Sequence, residues 1–317
     1  MIWWVKRALV AILIALAVPA VPASAMDPAF CRPVRFAAVD WTDVTATTAV
    51  VSRILEGLGY APSIAVMSVP EVYLALDERE ADVFLGNWMP TMEADLRPYA
   101  DDGSVEVIEA PNLMGAKYTL AVPTYVFEAG LQTFSDVARF REALAGKIYG
   151  LEPGNDGNRL IQSMIDSDSF GLRGFDLVET SEAGMLDALA RAVNRRMPIV
   201  FLGWEPHPMN AAFSIRYLAG GDEVFGPDFG GANVFTNVRR GYLDRCPNVG
   251  TFLSGLRFTL QMENELMAAI LNRGDDPAEA ARKWLRGNPR MWQGWLKGVT
   301  TMGGEPGYEA VRKSLGL

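Results

Sequence analysis

The sequence predicts an α/β protein of two lobes, each a parallel-rich sheet flanked by helices, with a ligand held in the cleft between them. Three observations lead there. Short apolar runs alternate with helix-length amphipathic segments, the pattern of strands joined by crossover helices. The alternation pauses near Pro111 and Gly115 and then starts again. Two matching runs, Val83-Phe84-Leu85-Gly86-Asn87-Trp88 and Val200-Phe201-Leu202-Gly203-Trp204, hold the same place in the two halves and each ends in a tryptophan. In open α/β sheets the carboxyl ends of the strands are where ligands bind.

Residues 1–25 are expected to leave before folding. Lys6 and Arg7 precede an apolar run from Ala8 to Val21, and Ala23-Ser24-Ala25 supplies small residues for cleavage, the layout of a secretory signal peptide. The run is shorter than the ~20 residues needed to span a bilayer.

The first lobe is predicted over residues 26–117. Val34 to Val39 reads as a buried strand. Val44, Thr48, Val51, Ile54, Leu55 and Leu58 recur at helical spacing with Gly59 as a C-terminal cap. Ile64 to Met67 reads as a second strand, and Val69 to Leu76 as a helix that tolerates Pro70 in its first turn. Val83 to Trp88 is a third strand, so right-handed crossovers give a parallel βαβαβ unit. After Val105 to Ile108, Tyr118 to Val122 is extended.

The second lobe is predicted over residues 118–218. It has a helix from Phe134 to Leu144, a strand from Lys147 to Leu151, a turn-rich loop Glu152 to Asn158, and a helix through Leu160, Ile161, Met164 and Ile165. A strand from Phe175 to Val178, a helix from Ala183 to Val193 and a strand from Ile199 to Trp204 follow. Residues 219–317 return to the first lobe with a glycine-rich loop, a short strand at Val234 to Val238, and helices near 252–256, 263–271 and 277–285. Crossings fall near 116–118 and 217–220, where hinge closure would enclose a small solute.

Composition narrows the function. The chain carries a net charge of −9, which disfavours nucleic acid, whose phosphates call for clustered Lys and Arg. Cys31 and Cys246 are the only cysteines, and in an oxidising compartment one disulfide is the default. It would bring the mature N-terminus and the return segment into one lobe. A metal site is not expected, since His207 is the only histidine and neither cysteine has a ligand-spaced partner. Neither a Gly-x-Ser-x-Gly elbow nor a zinc signature suggests an enzyme.

Trp41, Trp88 and Trp204 sit at predicted strand ends facing the cleft. Any one alone reads as a packing residue, and Trp284, Trp292 and Trp295 on amphipathic C-terminal segments read as core. The shared topological position of the first three points to an aromatic site for an organic cation, with Asp43 beside it as the anion. Asp43 is equally well placed to cap the helix beginning at Val44, and the two roles are compatible. Asn155, in Gly154-Asn155-Asp156-Gly157, reads as turn chemistry or as a ligand contact. His207, between two prolines, reads as structural.

These residues carry a resemblance. Trp41-Thr42-Asp43, the Leu-Gly-Asn-Trp88 strand end, Tyr118, the Glu-Pro-Gly-Asn155 loop and Phe-Leu-Gly-Trp204 resemble the periplasmic substrate-binding proteins of quaternary-amine ABC transporters, the choline binders most closely. The similarity covers essentially the whole mature chain and implies the type II binding-protein fold. It implies an aromatic box of Trp41, Trp88, Tyr118 and Trp204 around a trimethylammonium group. It also implies Asp43 on the cation and Asn155 on a choline hydroxyl, with no catalytic residue, metal or cofactor. The expected partners are choline, with acetylcholine or betaines bound more weakly, and a membrane permease. The protein is expected as a periplasmic monomer.

Overall fold

The computed structural model describes residues 26–317, so the signal-peptide reading of residues 1–25 lies outside the described residues. Among them, no helix is long and apolar enough to cross a membrane.

Ten strands form one mixed sheet: β1 (Pro33–Ala38), β2 (Ala61–Val66), β3 (Val83–Met89), β4 (Val105–Val107), β5 (Leu113–Pro123), β6 (Lys147–Tyr149), β7 (Asp176–Val178), β8 (Phe201–Glu205), β9 (Ile215–Tyr217) and β10 (Gly231–Arg239). The order is β2-β1-β3-β10-β5-β8-β6-β7, with β4 beside β10 and β9 beside β5. In the first lobe β1 lies between β2 and β3, parallel to both. In the second, β6 lies between β7 and β8 in the same way. The two βαβαβ units therefore repeat one topology, as the matching runs predicted. Their connecting helices are Thr42–Gly57 and Val69–Asp77 in one, Asp156–Asp166 and Glu182–Arg195 in the other.

The link between the units is what the sequence concealed. β5 and β10 run antiparallel and join both parallel units into a single sheet. β5 changes partners at Lys117, which faces Gly231 of β10 on one side and Glu205 of β8 on the other. The Gly115 break is internal to this strand: Gly115 has φ +77°, and the register slips opposite it between Ala232 and Val234, a bulge that bends the strand without ending it. The return strand is also longer than Val234 to Val238 and sits mid-sheet. Just after the predicted crossing, the Phe134 amide donates to Ala219 O and Phe225 packs 5.8 Å from the Phe134 ring.

One local expectation changes, and two helices are added. Phe134–Phe140 is a 3-10 helix, not an α-helix reaching Leu144. Glu93–Asp101 is a further helix, with Pro98 inside it. Gly307–Leu315 adds a C-terminal helix.

The helices Leu260–Arg273 and Pro277–Gly287 pack on the Thr42–Gly57 helix, burying its Val50, Val51, Ile54 and Leu55. The Cys31–Cys246 disulfide, with Cα atoms 5.7 Å apart, fixes the N-terminus to this layer. Beside it, Asn248 donates to Tyr60 Oη at 2.7 Å and Tyr60 Oη donates to Asp27 at 2.9 Å. Trp284, Trp292 and Trp295 are buried in the same layer, Trp292 against Tyr308 and Trp295 against Phe258.

Candidate functional site

Between the lobes lies a small cavity of about 20 Å³ lined by Trp41, Asp43, Trp88, Tyr118, Leu151, Asp156 and Trp204. The fold explains how these residues converge. Trp41 and Asp43 flank the start of the helix that follows β1. Trp88 and Trp204 are each the penultimate residue of their strands. Pro90 and Pro206 lie two positions beyond, where a residue without an N–H cannot extend the ladder. Tyr118 on β5 stands directly opposite Trp204 on β8, so both point to one face. Leu151 and Asp156 come from the loop and helix start after β6.

Two glycines make room for Tyr118. A Cβ on Gly157 would lie 2.2 Å from its hydroxyl, and a Cβ on Gly230 would lie 2.2 Å from its carbonyl oxygen. Gly230 also holds φ +74°, which a side chain would strain.

The polar ends of the rings are turned to the protein. Trp41 Nε1 donates to Glu152 Oε1 at 2.8 Å, Trp88 Nε1 to Asp43 Oδ2 at 3.1 Å, and Tyr118 Oη to Asn155 Oδ1 at 2.8 Å. Trp88 and Tyr118 meet edge-on with centroids 6.1 Å apart. What these three rings have left to offer the cavity is π-surface.

The wall is acidic. Asp43 is buried, and its Oδ1 accepts no hydrogen bond. Burial, with the negative charge of Glu182 adding to it, pushes its carboxyl up to about 7, against the opposing pull of the Val44 and Trp88 donors. Asp156 is fully buried, and among the described residues neither oxygen has a hydrogen bond of ordinary geometry; the Thr91 hydroxyl beside it, which favours the ionised form, donates to Trp88 O. Burial lifts Asp156 to about 6. Among the described residues no Lys or Arg lines this cavity. Aromatic faces and underpartnered carboxylates without a base are complementary to a positive ligand.

Five of the six singled-out residues, Trp41, Asp43, Trp88, Tyr118 and Trp204, line the cavity. Asn155 does not. Its Oδ1 accepts from Tyr118 Oη and from the Asn158 amide at 3.2 Å, capping the Asp156–Asp166 helix, and its Nδ2 donates to Glu152 Oε1 at 3.3 Å. It stands behind Tyr118 and orients it. Asp43 is not the helix cap either: the helix starts at Thr42 with Trp41 as N-cap, placing Asp43 inside the first turn.

His207 is buried behind Trp204, with ring centroids 4.6 Å apart. Its Nδ1 accepts from the Met209 amide at 2.9 Å, and its Nε2 lies 2.9 Å from Glu182 Oε1. Asp156, Leu151 and Glu182 carry no signal of this role in the sequence. Asp156 shares the Gly-Asn-Asp-Gly turn with Asn155, but turn chemistry accounts for an aspartate there without a ligand.

The family described as the substrate binding domain of ABC-type glycine betaine transport systems matches residues 32–287. A solved ABC-transporter choline binding protein in complex with choline is 56% identical, with a TM-score of 0.89, over 91% of this chain and 100% of that one. Uncharacterized protein ORF1 of Chromohalobacter salexigens is 51% identical over 130 residues, 41% of this chain and 83% of that protein. The glycine betaine/carnitine transport binding protein GbuC of Listeria monocytogenes is 32% identical over 141 residues, 44% of each chain.

Proposed function

The chain belongs to the family of substrate-binding domains of ABC-type glycine betaine transport systems, and on that premise we propose that it captures choline between its lobes and delivers it to a membrane permease. The observation that carries this reading is a cavity walled by three indoles and a phenol, with an unpartnered oxygen of Asp43 among them. A quaternary ammonium has no N–H to donate, so it is held by ring faces and a nearby anion. Each desolvated aromatic contact contributes about 0.5–2 kcal/mol. Four rings then provide a large share of the ~8 kcal/mol that micromolar binding requires. In this reading Asp156, with both oxygens free on the wall, accepts the choline hydroxyl, and Asn155 acts through Tyr118.

The same wall disfavours a betaine. Its carboxylate would face Asp43 or Asp156, and like charges brought together in a desolvated site cost several kcal/mol. Among the described residues the wall contains no serine, cysteine or histidine, which supports a receptor and not a choline esterase. Export through residues 1–25 to the periplasm fits the role.

The pH dependence has a definite sign. Asp43 and Asp156 are pushed up to about 7 and about 6. A bound cation favours their ionised forms, so binding releases protons and affinity rises as pH climbs through this window. Calorimetric titration between about pH 5 and pH 8 should give micromolar choline binding at the upper end, with glycine betaine and carnitine far weaker. Toward the lower end choline should weaken and the gap narrow, because a protonated Asp43 can donate to a betaine carboxylate. Betaine binding as tight as choline at the upper end would overturn the assignment, and sustained release of choline from acetylcholine would overturn the receptor reading.

A further inference from the structure

The Thr42–Gly57 helix belongs to the first lobe, yet its first turn is satisfied from the second. Its N-cap residue, Trp41, makes no side-chain capping hydrogen bond. Instead Glu182, the first residue of the Glu182–Arg195 helix, reaches across the cleft. Its Oε2 accepts from the Thr42 amide at 2.9 Å and its Oε1 from the Thr42 hydroxyl at 2.8 Å. Both residues are buried. The carboxylate thus sits at the start of its own helix and of a helix in the other lobe, and both N-termini attract an anion.

The third contact ties this point to the cavity. The Met209 amide donates to His207 Nδ1, which leaves Nε2 to carry the proton and donate to Glu182 Oε1. The His207 ring packs against Trp204. Thr42 lies between Trp41 and Asp43. One carboxylate therefore connects two cavity walls, one from each lobe, while Glu182 itself is not on the wall.

We propose that Glu182 is the latch of the closed state, a positioning residue that holds the lobes together around the ligand. The proposal rests on the choline-receptor reading for the identity of that ligand, but its geometry is independent of it. When the lobes part, Thr42 and Glu182 must each turn to water, so their contact favours closure alone. A contact confined to the closed state slows release and raises the fraction able to retain ligand. The other polar bridges across the cleft differ in kind. Arg159 pairs with Asp95 at 2.6 Å, but its side chain is 38% exposed, and the Trp41 to Glu152 bond involves a wall residue directly.

The test compares wild type with Glu182→Ala, Glu182→Gln and Thr42→Val, using stopped-flow release of choline and solution scattering of the ligand-free proteins. Glu182→Ala should release choline roughly tenfold faster or more, with association changed by no more than about twofold, and its ligand-free form should scatter as a more open particle. Glu182→Gln, which keeps one acceptor, should fall between, and it carries the test if the alanine variant does not fold. Thr42→Val should add little on top of Glu182→Ala, since both remove one contact. A carboxylate that only attracts the cation would instead slow association and leave the ligand-free scattering unchanged. A merely structural cap would lower the ligand-free melting midpoint without changing release.

Wild-type choline binding together with unchanged release in both Glu182 variants overturns the latch and leaves the ligand reading intact. Failure of wild type to bind choline overturns the ligand reading. The latch is then judged by ligand-free scattering, where profiles of Glu182→Gln and wild type that coincide overturn it.

Discussion

Asp43→Asn is expected to weaken choline binding by about 2–5 kcal/mol while raising the melting midpoint of the ligand-free protein. The two effects share a cause. Asp43 is buried with one oxygen unpartnered, and burial with the Glu182 charge holds its carboxyl up at about 7 against an ordinary 3.8. A carboxyl raised on folding binds more protons in the native than in the unfolded state across that interval. Stability therefore falls as pH rises from about 4 to 7, and the cost is complete above 7. Asparagine keeps an acceptor for Trp88 Nε1 and removes the charge, so the gain in melting midpoint should be largest above pH 7 and vanish near pH 4. A bound cation depends on the charge that the empty fold is better without. Scanning calorimetry with and without choline measures both, and a parallel loss of stability and affinity would show Asp43 to be a structural residue.

Trp204→Ala and Trp295→Ala should separate in the opposite way. Trp204 lines the cavity, and losing its ring removes about 1–2 kcal/mol of cation–π attraction, together with the face that backs His207. Trp88→Ala should match it and also free Asp43 Oδ2. Trp295 is only 3% exposed and packs edge-on to Phe258, 5.5 Å between centroids, in the C-terminal layer. Its removal should cost about 3–5 kcal/mol of stability and leave choline affinity within about a factor of two, since distant sites act independently. Equal losses of affinity at both positions would mean that the tryptophans act through stability alone.

Trp204 and Trp295 are residues of one type whose roles are separable in the sequence by position. A tryptophan closing an apolar run marks a strand end, and the same place in the two halves puts Trp88 and Trp204 at the cleft. The parallel units were legible for the same reason: local periodicity sets each strand and helix. The single sheet was not, because β5 and β10 pair across more than a hundred residues and their glycines read locally as breaks.

The aromatic wall and Asp43 beside it could be seen in the sequence, whereas Asp156 and Glu182 could not. Asp43 read equally well as a cap, because an aspartate near a helix start usually is one. The cap comes instead from Glu182, 140 residues away, and only the closed arrangement of the lobes shows it. That Asp156 lines the cavity and Asn155 does not was hidden for a related reason. Neighbours at a helix start point in different directions, and the turn residues do not say which one faces inward.

The most direct measurement is a crystal structure of the protein grown with choline. The quaternary nitrogen should lie within about 6 Å of at least three of the ring centroids of Trp41, Trp88, Tyr118 and Trp204, with Asp43 the nearest carboxylate and the hydroxyl directed at Asp156. Choline bound elsewhere, or held in this cavity with its nitrogen turned away from the rings, would contradict the account.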